Sequence, residues 1–137
     1  DPAELEPLTR AHLRLGRRVL RRGPPDEGEV TAMRAVFDRL FADHDILLQP
    51  AVAQPPPTTS SLRSGWARSV LRMSSFTPFT PSWNLARYPA MTVPAGLGSG
   101  NLPVAVMLGG PPGSEPRLVS VARELERVAP WPRHAPL

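Results

Sequence analysis

Serine, histidine and aspartate can act together as a catalytic triad. The serine is the nucleophile, the histidine is its general base, and the aspartate carboxylate orients the histidine. In this chain Asp43, His44 and Asp45 are consecutive, and serines are plentiful. However, no serine lies in the Gly-x-Ser-x-Gly pattern of a nucleophile elbow. The sequence therefore does not predict a Ser-His-Asp triad, and Asp43 and Asp45 are predicted to end a helix and to enter a strand.

The histidines are the other residues that could bind a metal. His12, His44 and His134 are far apart in sequence, and no two have the spacing of a metal-binding pair on a helix. The chain has no cysteine, which excludes disulfides and cysteine-ligated metals. The sequence therefore predicts no metal site and no cofactor.

A glycine-rich loop, Gly109–Ser114, precedes a predicted helix. Free backbone amides at the start of a helix can bind an anion. Here Pro111 and Pro112 remove two of those donors, and the lysine of a phosphate-binding loop is missing. The loop is therefore predicted to be a strand-to-helix turn rather than a nucleotide site.

Arginine supplies all sixteen basic residues, and the chain contains no lysine. Residues Arg63, Trp66, Arg68, Arg72 and Phe76 mix charge with aromatic rings, as single-stranded nucleic-acid sites do. No recognised nucleic-acid-binding motif accompanies them, and the net charge is only +4. The sequence favours solvated helix faces and no specific nucleic acid, with a non-catalytic basic binding module as an alternative function.

The 137 residues, 41% of them hydrophobic, suit one domain of ordinary size. No segment approaches the roughly 20 apolar residues that a membrane-spanning helix needs. The first residues, Asp1–Glu4, are acidic where a secretory signal would be basic. These features predict a cytoplasmic protein without membrane contact, and a homodimer is compatible with them.

Hydrophobic periodicity predicts helices in the first part of the chain, residues 1–44. Apolar residues recur at helical spacing over 4–22 and again over 28–42, which predicts a helical pair. Residues 45–89 form a second region, with a strand over 45–49 followed by a proline-rich loop. Within this region Leu62–Met73 has the spacing of a short helix.

Residues 90–137 are predicted to form a β-hairpin and a final helix. The strands cover 90–95 and 103–109, and the glycine-rich connector between them suits a turn. The final helix follows Ser114. The whole order predicts an α/β layer arrangement. Both hairpin strands are almost continuously apolar, as in strands covered on two faces, so we expect a missing amino-terminal partner to complete the thin sheet.

Three sequence segments resemble the carboxyl-terminal part of the amidase signature family. The first is Trp83–Gly96 leading to Leu102–Gly113, and the second is Asp45–Pro50 with the prolines that follow it. The third, Phe79–Pro89, is similar to the family pattern Phe-x-x-x-x-Asn-Leu-x-Gly-x-Pro. It departs from that pattern at Arg87, where glycine is usual, so the family's local backbone and pocket shape are not carried over there.

The resemblance implies a partial α/β/α layered fold, in which helices pack on a few strands of a mixed sheet. The chain would be one segment, 1–137, of a single amidase signature domain. Family members use a Ser, cis-Ser and Lys triad, whose serine loop lies upstream of this region. The pairs Ser60-Ser61 and Ser74-Ser75 lack the flanking glycines of that loop, and no position supplies the lysine. No catalytic residue is therefore assigned to this chain.

The implied parent enzyme hydrolyses a small-molecule carboxylic amide to an acid and an amine or ammonia, and the isolated chain is predicted to be inactive. An A subunit of a glutamine-dependent tRNA amidotransferase is an alternative within the family, and the non-catalytic basic binding module would then be derived from an amidase. The resemblance gives this chain a share of the substrate pocket, with Phe76, Phe79, Trp83 and Asn84 as candidates. Core packing is the alternative for each aromatic residue, and Asn84 could instead bond to its own loop.

Overall fold

The computed structural model describes residues 5–21, 23, 26–62 and 66–131. Its helices are α1 (Pro7–Leu20), α2 (Glu27–Asp43), α3 (Thr59–Leu62), α4 (Trp66–Phe76), α5 (Thr80–Ala86) and α6 (Glu115–Val128). Its strands are β1 (Leu47–Pro50), β2 (Ala90–Leu97) and β3 (Pro103–Gly109). Of the residues named above, Asp1–Glu4, Arg63 and His134 lie outside the described residues.

The three strands form one sheet in the order β1-β3-β2, and both pairings are antiparallel. The predicted hairpin is confirmed: Ala90 pairs with Gly109 at one end and Leu97 with Pro103 at the other. A 3-10 turn over Ser99–Asn101 closes it. The mixed sheet implied by the family resemblance would need parallel strands, and none is found within the described part of the chain.

Helices α2 and α5 cover one face of the sheet. Because side chains alternate across a strand, Met107 and Ala105 of β3 point to this face, together with Leu47 of β1. They pack against an aromatic group from α2, α5 and the segment after α5. This group, the aromatic cluster, consists of Phe37, Phe41, Trp83 and Tyr88.

Helix α6 covers the opposite face. There Leu108 and Val93 of the hairpin pack against Leu118 and Ala122 of the helix, and all four are buried. The sheet therefore lies between two helical layers, which confirms the α/β prediction. Both hairpin strands were predicted to be covered on two faces. Of β3, only the Met107–Gly109 end is buried within this chain, whereas its end near Pro103 and most of β2 are exposed.

Local chemistry explains where the helices begin. The Asp26 side chain accepts a hydrogen bond of 3.1 Å from the Gly28 amide, which caps α2. Pro116 lies in the first turn of α6, where its missing N–H has no intrahelical partner to lose. The short helix predicted over Leu62–Met73 is found as α4, which begins at Trp66 and ends at Phe76.

Helix α5 was not predicted from the sequence, which indicated irregular chain before the hairpin. It has only seven residues and contains Pro81, and proline usually argues against a helix interior. Pro81 falls in the first turn, where it is tolerated. The helix places Trp83 and Ala86 in the core, so the aromatic cluster depends on it.

Candidate functional site

The loop after β1, residues 51–57, is fixed by hydrogen bonds to two other elements. The Ala51 amide donates to the Ala105 carbonyl of β3 at 3.3 Å, and the Ala53 amide donates to the Phe76 carbonyl of α4 at 3.0 Å. The Gln54 side chain donates to the Ser75 hydroxyl at 3.1 Å. This proline loop is therefore held between the sheet and α4.

A cleft of about 310 Å³ lies between the proline loop and α4. We call it the loop cleft. Gln54, Pro55 and Pro57 line one side, and Arg72 and Phe76 line the other. Its lining combines an aromatic ring, an amide and a guanidinium, which are groups that bind and orient a small polar molecule.

A second cleft, of about 350 Å³, lies on the other side of the same loop, against the hairpin. We call it the hairpin cleft. Val52, Pro56, Leu102 and Val104 are among its lining residues, and its surface is mainly apolar. An apolar cleft with few polar groups suits the hydrocarbon part of a ligand. Gln54 and Pro55 line both clefts.

Ala51, at the start of the proline loop, belongs to the same buried core as the aromatic cluster. The ring centroids of Phe37 and Trp83 are 4.6 Å apart, and those of Phe37 and Tyr88 are 5.1 Å apart. The Tyr88 hydroxyl donates a hydrogen bond to Asp38. That bond, helped by burial, raises the pKa of Tyr88 above its usual value. The tyrosine is therefore a neutral donor at neutral pH, with a structural role.

The structure places the four predicted pocket residues in different surroundings. Phe76 lines the loop cleft. Phe79 is partly buried against the aromatic cluster, and Trp83 is only 3% exposed within it. Asn84 is exposed and lines a separate cleft between α2 and α5, which shares no lining residue with the loop cleft. Of these four residues, Phe76 alone combines an aromatic surface with an open cleft at the proline loop.

Two of the residues considered for other chemistry, His44 and Asp45, have other partners. The His44 Nδ1 lies 3.0 Å from the Leu40 carbonyl, so it donates to that oxygen. Asp45 forms an exposed ion pair with Arg117. Among the described residues, no three His, Asp or Glu side chains group as metal ligands do. Gly109–Ser114 connects β3 to α6 as a turn.

Arg87 ends α5 in the left-handed conformation, with φ 60° and ψ 42°. This is the position where the family pattern has glycine, and glycine is favoured there because it has no Cβ to clash with the backbone. The sequence showed that arginine replaces glycine here, but it did not show the backbone conformation of Arg87. Arg87 therefore carries local backbone strain.

Replacing Arg87 with glycine should stabilise the chain by about 1 kcal/mol, because glycine adopts the left-handed backbone conformation without the strain that a residue with a Cβ has there. Urea unfolding of the wild-type chain and of Arg87→Gly would measure the change. Arg39→Gly, in the middle of helix α2, is the matched control and should lower stability by a similar amount. Equal destabilisation by both substitutions would contradict the left-handed assignment.

Comparison with known proteins identifies the family of this chain. The family model for amidases matches residues 3–119. The chain belongs to the amidase family. It is 36% identical to "Putative amidase AmiC" of Mycobacterium tuberculosis over 99% of its own length, and 35% identical to "Putative amidase AmiA2" of the same species, again over 99%.

The chain spans only part of these amidases: 29% of the AmiC protein and 28% of the AmiA2 protein. Among solved structures it is similar to 6-aminohexanoate cyclic dimer hydrolase, with a TM-score of 0.68 and 26% identity. That match covers 76% of this chain and 23% of the hydrolase. The amidase resemblance of the sequence is thus confirmed.

A second solved structure has the same fold. The A subunit of the glutamyl-tRNA(Gln) amidotransferase from Thermotoga maritima matches with a TM-score of 0.61 over 90% of this chain and 27% of its own. Identity is 22%, so the likeness concerns the fold. Over the described part of this amidase chain, no helix is long and apolar enough to cross a membrane.

Proposed function

We propose that this chain is the carboxyl-terminal part of an amidase that hydrolyses a small-molecule carboxylic amide to an acid and an amine or ammonia. The observation that carries the proposal is the amidase family match over residues 3–119, in a chain that spans 29% of its relatives. The 26% identity to a hydrolase structure supports hydrolysis over transfer to tRNA. A cytoplasmic setting is part of the proposal.

The proposed catalytic Ser, cis-Ser and Lys lie outside this chain. In such a mechanism the serine oxygen attacks the amide carbonyl, and its proton passes through the second serine and the neutral lysine to the leaving nitrogen. Backbone amides stabilise the oxyanion. The amine leaves, water attacks the acyl-serine, and the acid is released. This chain contains no lysine that could take the proton.

This chain's proposed share is the substrate pocket beside the proline loop. The loop cleft presents Phe76 and Gln54, and the hairpin cleft presents an apolar surface. Both clefts are open, so the rest of the amidase would close them around a substrate. Phe79 and Trp83 would support the pocket through the aromatic cluster, and a direct role for Asn84 stays a prediction.

Exposed apolar residues mark where the rest of the amidase would pack. Leu48, on the edge strand β1, is 61% exposed, although Leu108 opposite it is buried. Helix α1 exposes Leu15, Val19 and Leu20. Leaving apolar surface exposed to water costs about 25 cal/mol of free energy for each Å². We therefore propose that the missing amino-terminal part covers β1 and α1.

The purified 137-residue chain should release no acid from any amide in a panel of aliphatic and aromatic amides, because it lacks the lysine and the serine loop. The measurement is product release over a day, compared with buffer alone. A longer amidase that contains this sequence is the positive control. Amide hydrolysis activity that co-purifies with the 137-residue chain in two different chromatographic separations would contradict the proposal.

A further inference from the structure

A polar cleft of about 600 Å³ lies between α2 and α5, away from the proline loop. We call it the α2–α5 cleft. Arg34 of α2, Asn84 of α5 and Arg87 are among its lining residues. Glu27 is the one acidic side chain among the described residues that line it. The cleft therefore carries two positive charges against one negative charge.

Of the donor side chains Arg34, Asn84 and Arg87, one is held by the protein and two have no protein partner within the described part of the chain. The Arg34 Nε donates to the Ala86 carbonyl at 3.1 Å, which fixes its guanidinium beside the end of α5. Among the described residues, neither the Arg87 guanidinium nor the Asn84 amide has a hydrogen-bond or ion-pair partner. Two guanidinium groups and an amide thus offer N–H donors to a ligand in one cleft.

The backbone at Arg87 adds an independent observation. A non-glycine residue with φ 60° is strained, and strained residues cluster at sites where a particular side chain has a role. Glycine would relieve the strain but would remove the second guanidinium. An arginine at this strained position is explained if its side chain binds something in the cleft.

We propose that the α2–α5 cleft binds a small organic carboxylate. A guanidinium donates two parallel hydrogen bonds to a carboxylate, and this charge-assisted pair is stronger than neutral hydrogen bonds. Arg34 and Arg87 supply the guanidinium groups, and Asn84 supplies a neutral donor. The inference rests on the cleft and is independent of the amide hydrolysis proposed above.

Isothermal titration of the 137-residue chain with sodium succinate, in a Tris chloride buffer of constant ionic strength, tests the proposal. Arg87→Gln should weaken succinate binding about tenfold, because one charged hydrogen-bonding partner is lost. The control is Arg39→Gln, which removes an equal charge from an exposed position of α2 that does not line the cleft. It should change the affinity for succinate less than about twofold, because Arg39 makes no direct contact with the ligand. Glu27→Gln should strengthen binding, because it removes the acidic group from the cleft.

Arg87→Gly separates binding from folding, since it should raise stability while it weakens succinate binding. Equal losses in Arg87→Gln and Arg39→Gln would overturn the proposal, because only net charge would then matter. The absence of succinate binding to a chain that circular dichroism shows to be folded would also overturn it. If the complete amidase folds but does not bind succinate, the rest of the protein fills the cleft, and the small-molecule assignment is wrong.

Discussion

Replacing Gly109 with alanine is expected to destabilise the chain by about 3 kcal/mol, the upper part of the range for an overpacked core. A Cβ at this position would lie 2.0 Å from the Trp83 ring, far inside van der Waals contact. The ring cannot move freely, because Trp83 is buried against Phe37 and Phe41. Urea unfolding followed by tryptophan fluorescence would measure the loss.

Two further variants make this result specific. Gly16→Ala, in helix α1, places its Cβ in open space and should stabilise the chain by about 0.5 to 1 kcal/mol through helix propensity. Trp83→Phe shortens the opposing side chain, so Gly109→Ala should cost at least about 1 kcal/mol less in that background, as contacting residues couple. Additive effects of Gly109→Ala and Trp83→Phe would contradict this packing.

Truncating Leu108 to alanine is expected to cost about 3 kcal/mol, as is usual for a fully buried leucine. Leu108 is 2% exposed on the central strand, between Val93 and helix α6. Leu48, directly opposite it on β1, is the matched control. Because Leu48 is exposed, Leu48→Ala should change the free energy of unfolding by no more than about 0.5 kcal/mol.

The Leu108→Ala and Leu48→Ala variants also test whether another part of an amidase covers the sheet at Leu48. In the complete amidase, Leu48 would be buried, so Leu48→Ala should then cost about 2 kcal/mol or more. Leu108→Ala should cost a similar amount in both proteins. If Leu48→Ala remains neutral in the complete protein, the rest of the amidase does not pack on β1.

The hairpin and the long helices could be predicted from sequence because their hydrophobic periods are regular. Residues 90–95 and 103–109 are apolar segments separated by a glycine-rich connector, which favours an antiparallel pair. Helices α2 and α6 show apolar residues at helical spacing. These signals are local, and local signals are enough to identify an element and its type.

The pocket residues could not be placed from sequence, because their surroundings depend on helix α5. Trp83 and Asn84 are adjacent in sequence, yet successive residues of a helix point about 100° apart. Trp83 therefore enters the core while Asn84 faces a different cleft. Predicting this required knowing that Thr80–Ala86 is helical, and Pro81 argued against that.

The backbone conformation and the surroundings of Arg87 could not be predicted from the sequence either. The sequence showed that arginine replaces the usual glycine, but a residue type alone does not reveal its φ angle. Its nearness to Arg34 is equally invisible, because the two residues are far apart in sequence and meet only when α2 packs on α5. Long-range packing of this kind explains why the α2–α5 cleft emerges from the structure alone.

The most direct test of the central claim is the intact mass of the natural polypeptide that carries this sequence, isolated with an antibody to residues 26–43 and measured by mass spectrometry. We expect a mass about 3.4 times the 14.9 kDa of this chain, because the chain spans 29% of its amidase relatives and 1/0.29 is about 3.4. The added sequence should include a glycine- and serine-rich loop and a lysine. A natural polypeptide of 14.9 kDa would contradict the claim that this chain is part of a complete amidase.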